Sequence, residues 1–334
     1  MMGIDFQIAL FNKVIEYYGK RSIAAKEVAK QLNVSKGSVY RRMRGETLLT
    51  PHEIVGLAAK HDIMIDQMVS KPNELAEYAL RYFDQGSEKY NDYLDLIQDI
   101  LDSLGRSHIE SMIMSFRDFP ILPALMVPDL VKFKLFTYSM YPWQHGFSGK
   151  PFSLSAKSKK RDEKISNLAS VYMNTASYEL YSVGMFDKTL TEIEYAVADG
   201  RFKTKKDVLS LYESLETLTK YLIRAGLKGR KSIPGSITSR GNTIKLYFSD
   251  TTGLSTSVVL RTIFFNQLII PHDYPNLLSA KDNELVKTSL DKVQLAMRNS
   301  LRIHPPNSKE TDAILEEVYR RIDESRKRVS KMKV

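Results

Sequence analysis

The chain has 334 residues, 43% of them hydrophobic, no cysteine, and a formal net charge of +10. That length predicts two domains with a sizeable core. The lack of cysteine excludes a disulfide scaffold, a thiolate zinc site and a cysteine nucleophile, and the positive excess suits a polyanionic partner. No long uninterrupted apolar run occurs and no charged-then-apolar leader opens the chain. Neither a membrane span nor a signal peptide is therefore expected, and a cytoplasmic location is.

Phe6, Leu10, Val14 and Tyr17 recur at helical spacing and predict a first helix. From Ala25 to Gly45 the pattern reads as two short helices joined by a tight turn. Val28, Ala29 and Leu32 share one face of the first, and Ala29 is small where two helices must approach. Asn33 tolerates the left-handed conformation that ends a helix. Ser35 is a good N-cap because its hydroxyl accepts a free backbone N–H. Val39 and Met43, at i and i+4, form the buried side of the second helix. Its other side carries Lys36, Gly37, Ser38, Tyr40, Arg41 and Arg44. Eight Lys or Arg residues and one acid, Glu27, lie between Lys20 and Gly45. A third helix starts at Thr50, with Pro51 at its first position and Glu53 placed to complete a capping box. Ile54, Leu57 and Ala58 continue it, with Ile63 and Ile65 following, and the bundle ends near Lys71-Pro72.

Two helices, a turn and a basic second helix are the arrangement that places a helix in the major groove of DNA. Residues Ile23 to Met68 resemble the Xre/Cro/cI-type helix-turn-helix repressor domains. The resemblance rests on Val28-Ala29, Leu32, Val34-Ser35, Val39, Arg44-Gly45 and the run Pro51 through Asp66, about one fifth of the chain. Ala24 and Ala25 stand where the family often has a capping Thr and a phosphate-binding Gln, and Asn33 replaces the commoner turn glycine. The resemblance implies that Ser35, Lys36, Gly37, Tyr40 and Arg41 fall where the family's recognition helix meets base edges and phosphates. Lys36 and Arg41 are the foremost candidates. With Ser38 and Arg44 from the same exposed side, these are the candidate DNA-binding residues. A small helical bundle used for protein contact is the competing reading of the same pattern.

Beyond Pro72 the composition changes. Residues 73–104 carry eight acids and two bases, whereas the stretch from Arg320 carries seven bases and two acids. Both runs read first as solvated faces. Ala76, Leu80, Phe83, Tyr90, Leu94, Ile97, Leu101 and Leu104 keep steps of four and three, interrupted at Ser87. This predicts either a linker helix that pairs two subunits or a helix lying on the core of the second domain. Ser111–Phe116 reads as a short strand, Phe119–Pro128 as a connection, and Leu130–Met140 as a helix. Tyr141–Ser155 reads as a loop around Trp143, and Lys164–Asp199 and Lys205–Ala225 read as helices. Ile244, Leu246 and Phe248 alternate with polar residues. With the turn at Asp250–Gly253 and the β-rich Val258–Phe265, they predict a small β-hairpin. Helices over Leu277–Leu301 and Ser308–Lys331 close the chain.

No catalytic or metal-binding pattern emerges. His52, His61, His108, His145, His272 and His304 form no metal spacing. Gly149-Lys150 lacks the upstream glycine of a phosphate loop, and Gly146–Gly149 lacks the spacing of a nucleophile elbow. No cofactor, no metal and no enzymatic activity are therefore expected. The aromatic segments Phe133–Phe147 and Tyr172–Phe186 read as core, or as walls of a pocket for a small-molecule effector.

The expected fold is mostly α. It comprises a helix-turn-helix bundle over residues 1–72 and a larger α-rich (α+β) domain over 73–334 with a small β-hairpin. The expected function is that of a sequence-specific transcriptional regulator on double-stranded DNA. It would act as a homodimer, with the second domain serving dimerisation or ligand sensing. The alternatives are an enzyme or signalling domain recruited by a DNA-binding module, and a helical protein-interaction scaffold.

Overall fold

Local capping groups and helical spacing of apolar residues organise the N-terminal part. Helices α1 (Gly3–Tyr18), α2 (Arg21–Leu32), α3 (Lys36–Met43) and α4 (Pro51–Lys60) follow one another across short turns. Leu10, Phe11, Val14, Val28, Val39 and Leu57 form their common core, each at most 1% exposed. The computed structural model describes residues 3–65, 68, 78–81, 93–102, 104, 108–140, 149–236, 240–250, 255–272, 275–281, 284–305 and 308–332. The chain divides into two compact units, Met1–Glu77 and Tyr78–Val334.

The second unit is built on one mixed eight-stranded sheet. Its strands are β1 (Ala79–Arg81), β2 (Ile109–Phe116), β3 (Ala176–Tyr181), β4 (Ile244–Phe248), β5 (Ser257–Thr262), β6 (Asn266–Pro271), β7 (Leu277–Lys281) and β8 (Leu301–Arg302). They lie in the order β1-β7-β6-β5-β2-β3-β4-β8. β2, β3 and β4 are parallel, with Met114 opposite Glu179 and Glu179 opposite Leu246. The remaining pairs are antiparallel. Parallel neighbours need crossover connections. Helices α5 (Tyr93–Asp102), α6 (Ile121–Ala124), α7 (Pro128–Met140), α8 (Lys159–Asn174), α9 (Asp187–Ala198) and α10 (Lys205–Lys228) precede or connect these strands. Helices α11 (Glu284–Arg298) and α12 (Ser308–Ser330) follow β7 and β8.

Strand alternation sorts the core into two layers. Met112, Met114, Phe116, Tyr181, Leu246 and Phe248 face the large helical layer that includes α7 to α10 and α12. Ile113, Leu180, Val259 and Leu268 face α11 through Val286, Val293 and Met297. Strands covered on both faces lose the polar alternation that would reveal them.

The expected mostly-α body with a small hairpin is therefore corrected. The two segments expected to pair, now β4 and β5, do not touch. β5 pairs with β2 and β6, and β4 with β3 and β8. The helix expected over Lys164–Asp199 is a helix, a strand and a second helix. The one expected over Leu277–Leu301 begins as β7. Sequences such as Leu-Leu-Ser-Ala-Lys and Ala-Leu-Arg are rich in helix formers, and tertiary pairing overrides that preference. The stripe of fours and threes is not one helix either. Leu80 lies in edge strand β1, half exposed, while Leu94 and Ile97 are buried on α5 against the second-unit core. Ala76, Phe83 and Tyr90 lie outside the described residues.

Candidate nucleic-acid interface

The turn between α2 and α3 is built from the groups anticipated for it. Asn33 is left-handed, at φ 53°. Ser35 is extended, and its Oγ accepts the Ser38 N–H at 3.1 Å. The Val34 N–H donates to the Ala29 carbonyl at 3.0 Å. At α4 the capping box is complete. The Glu53 N–H donates to Thr50 Oγ1 at 3.3 Å, and the Thr50 N–H donates to Glu53 Oε2 at 2.8 Å. Such a cap contributes about 1 kcal/mol, and it holds the loop behind α3 in place.

α3 buries Val39 and Met43. Ser35, Lys36, Gly37, Arg41 and Arg44 are exposed, whereas Ser38 and Tyr40 are half-buried. Lys36, Tyr40 and Arg44 succeed one another at i+4, as do Gly37 and Arg41, so they form two adjacent rows on one helix face. Tyr40 packs its ring partly against the bundle core. Arg44 is committed to Glu46 through two hydrogen bonds of 2.5 and 3.0 Å, and that pairing raises the arginine and lowers the glutamate. Lys36 and Arg41 make no ion pair among the described residues, nor do Lys20, Arg21 and Lys26. The side chains combine two unneutralised cations, a hydroxyl and a phenol beside the free N–H groups of a helix N-terminus. That chemistry accepts phosphate oxygens and base edges.

Three residues that fix this face escaped sequence reasoning. Gln7, 2% exposed on α1, donates its amide to the carbonyls of Arg42 (2.7 Å) and Thr47 (2.9 Å) and accepts the Leu49 N–H at 2.6 Å. It satisfies the backbone of the α3–α4 loop from inside. The visible signal was a polar residue among Phe6, Leu10 and Val14. Arg42 points inward, 2.9 Å from the Glu53 carboxylate, and ties α3 to α4. Of the arginines in the basic run it is the structural one. Gln31 donates to the Gly56 carbonyl at 2.7 Å and fastens α2 to α4.

The two glycines here differ in purpose. Gly45 has φ +79°, and a Cβ there would stand 2.7 Å from Ile4 Cγ2, so the fold requires it. Gly37 is helical, and a Cβ would meet only Ser35 Oγ at 3.8 Å. Nothing in the bundle calls for a glycine at that exposed position.

The aromatic segments of the second unit are largely core. Phe133, Tyr172, Tyr181 and Phe186 are each at most 2% exposed, and Phe133 packs against Phe136, Phe152 and Phe202. Trp143, Tyr141 and Phe147 lie outside the described residues. No group of three or more His, Cys, Asp or Glu able to hold a metal occurs among the described residues, and no described helix is long and apolar enough to cross a membrane. No family model matches the chain, and no curated protein or solved structure matches it.

Proposed function

We propose that the chain is a sequence-specific DNA-binding transcriptional regulator of the cytoplasm. It acts as a homodimer, with α3 as the helix that enters the major groove. The observation that carries this reading is the face of α3 on which Ser35, Lys36, Gly37, Tyr40 and Arg41 surround a capped helix N-terminus, with Lys36 and Arg41 exposed and in no ion pair among the described residues. The preserved local geometry of the turn, and the resemblance of residues 23–68 to Xre/Cro/cI-type domains, support it further. A lone bundle offers few base contacts. Two copies on half-sites about 34 Å apart, or a multiple of that, give the affinity a regulator needs. The Tyr78–Val334 unit supplies the contact between copies and a site for an effector.

Arg41→Ala should weaken binding of the full chain to its preferred duplex by about 1–3 kcal/mol if the guanidinium reads a base edge. Selection from a random duplex library followed by titration measures this. Failure of the wild type to enrich any sequence would refute the proposal. Gly37→Ala should raise stability by about 0.5–1 kcal/mol, because alanine replaces glycine in a helix with room for its methyl. The same variant should bind duplex more weakly, since the methyl stands where the groove wall approaches. Unchanged affinity would remove Gly37 from the contact surface. Light scattering should show a dimer, and a monomer at micromolar concentration with and without DNA would eliminate that half of the reading.

A further inference from the structure

Two segments of the second unit, residues 149–164 and 199–208, carry ten Lys or Arg against four acids, more than half of the chain's formal excess of +10. The fold clasps them together. The Phe152 N–H donates to the Arg201 carbonyl at 2.6 Å, and the Lys203 N–H to the Phe152 carbonyl at 2.9 Å. The Leu154 N–H donates to Asp207 Oδ1 at 3.0 Å. The rings of Phe152 and Phe202, each 6% exposed, meet edge to face at 5.6 Å and anchor this junction in the core.

The four acids are all engaged. Asp162 lies 3.6 Å from Lys132 and 4.0 Å from Arg161, Glu163 lies 3.8 Å from Lys159, and Asp199 lies 2.5 Å from Arg201. Asp207 is buried and accepts from the Leu154 N–H and the Thr204 hydroxyl. Lys157, Lys160, Lys203, Lys205 and Lys206 are exposed, and their side chains make no ion pair or hydrogen bond among the described residues. The basic run of α12 differs, because Arg320, Arg321, Arg326, Lys327 and Arg328 each pair with a carboxylate of that helix, of α9 or of α10. Lys160 takes the second position of α8, and Lys205 and Lys206 take the first two of α10, after the Ser158 and Thr204 caps. The positive end of the helix dipole disfavours cations there, and like charges repel. These five lysines are unburied and unpaired, three of them set against a dipole, so the fold does not account for them.

We propose that this surface binds the phosphate backbone of duplex DNA, as a sequence-independent contact in addition to that of α3. The choice of DNA as the polyanion rests on the DNA-binding reading. Neither segment has an exposed large apolar side chain. Surface binding to a bilayer draws on such anchors, whereas a phosphate backbone is met by lysine charges alone.

The full chain and the triple variant Lys203→Gln/Lys205→Gln/Lys206→Gln are titrated with a random-sequence duplex, and with any duplex the wild type selects, by fluorescence anisotropy across a salt series. The variant should keep or raise its Tm, since cations leave a helix start. Its affinity for both duplexes should fall by about tenfold or more, and the slope of log affinity against log salt should drop by about 2–3, with sequence preference kept. Lys157→Gln/Lys160→Gln should act in the same direction from the other segment. A wild type that selects no sequence, yet binds duplex through these lysines, would refute the reading of α3 and uphold this surface. Full duplex binding by both variants, or no duplex binding by the wild type, would overturn it whatever α3 does. So would capture by phosphatidylserine vesicles that the variants lose while their duplex binding stays intact, which would assign the lysines to a membrane surface.

Discussion

Glu179→Gln is expected to destabilise the second unit by about 3–5 kcal/mol, the cost of removing one partner from a buried ion pair. Glu179 lies in the interior of β3 and is 0% exposed. Its carboxylate accepts hydrogen bonds from the hydroxyls of Tyr172 (3.0 Å), Ser177 (2.5 Å) and Tyr181. Lys231, also 0% exposed, places Nζ 4.0 Å from that carboxylate and donates to the carbonyls of Tyr172 and Thr175, each at 2.7 Å. Those carbonyls end α8, where a cation is favoured by the helix dipole. Glutamine keeps the shape but leaves the ammonium without its countercharge. Urea unfolding measures the loss, and a change below about 1 kcal/mol would mean that water or a shifted lysine compensates. The double variant Glu179→Gln with Lys231→Met should recover part of that loss, because it leaves no unpaired charge and the amide oxygen still accepts from the surrounding hydroxyls.

The same cluster sets a pH dependence. Burial pushes Lys231 down to about 8, against the upward pull of Glu179. An unfolded lysine titrates near 10.4. Between those values the unfolded chain holds a proton that the folded chain has released, so stability rises with pH across the window and is lowest below it. Burial and the Glu179 charge raise Tyr172 and Tyr181 well above 10, so the unfolded phenols ionise first and stability falls again beyond about pH 10. A maximum between these limits, absent in Lys231→Met, is the expected signature in buffered urea titrations.

The second large effect concerns salt. If the proposed complex makes six to ten phosphate contacts, affinity for duplex should fall roughly a thousandfold or more between about 50 and 200 mM salt, because each neutralised phosphate releases counterions. Removing one phosphate-contacting cation, as in Lys36→Ala, should lower the slope of log affinity against log salt by about 1 and affect all sequences equally. Fluorescence anisotropy across a salt series measures both. A flat salt dependence would leave the basic face of α3 as an ordinary solvated surface.

The N-terminal unit is legible from residue types because its turns and caps are held together over short spans. The left-handed Asn33, the Ser35 cap and the Thr50–Glu53 box each close within four residues, so residue type and spacing suffice to place them. The exposed row of α3 follows from the same periodicity. The inward aim of Arg42 and the role of Gln7 do not, because their partners lie on other elements. In the second unit the balance reverses. β2 was legible from its apolar run, but its neighbours β3 and β5 lie about 65 and 145 residues along the chain, and no local signal selects them. β3 hides a glutamate in its interior, which reads as solvent-facing until Lys231 and three hydroxyls close around it. Only the tertiary structure could decide this, because a strand buried on both faces is defined by what covers it and not by its own alternation. A cavity at the carboxyl ends of β2, β3 and β4 has the same origin. Arg117, Asp250 and Arg321 stand far apart in the chain, and the crossovers of the sheet bring them to one place.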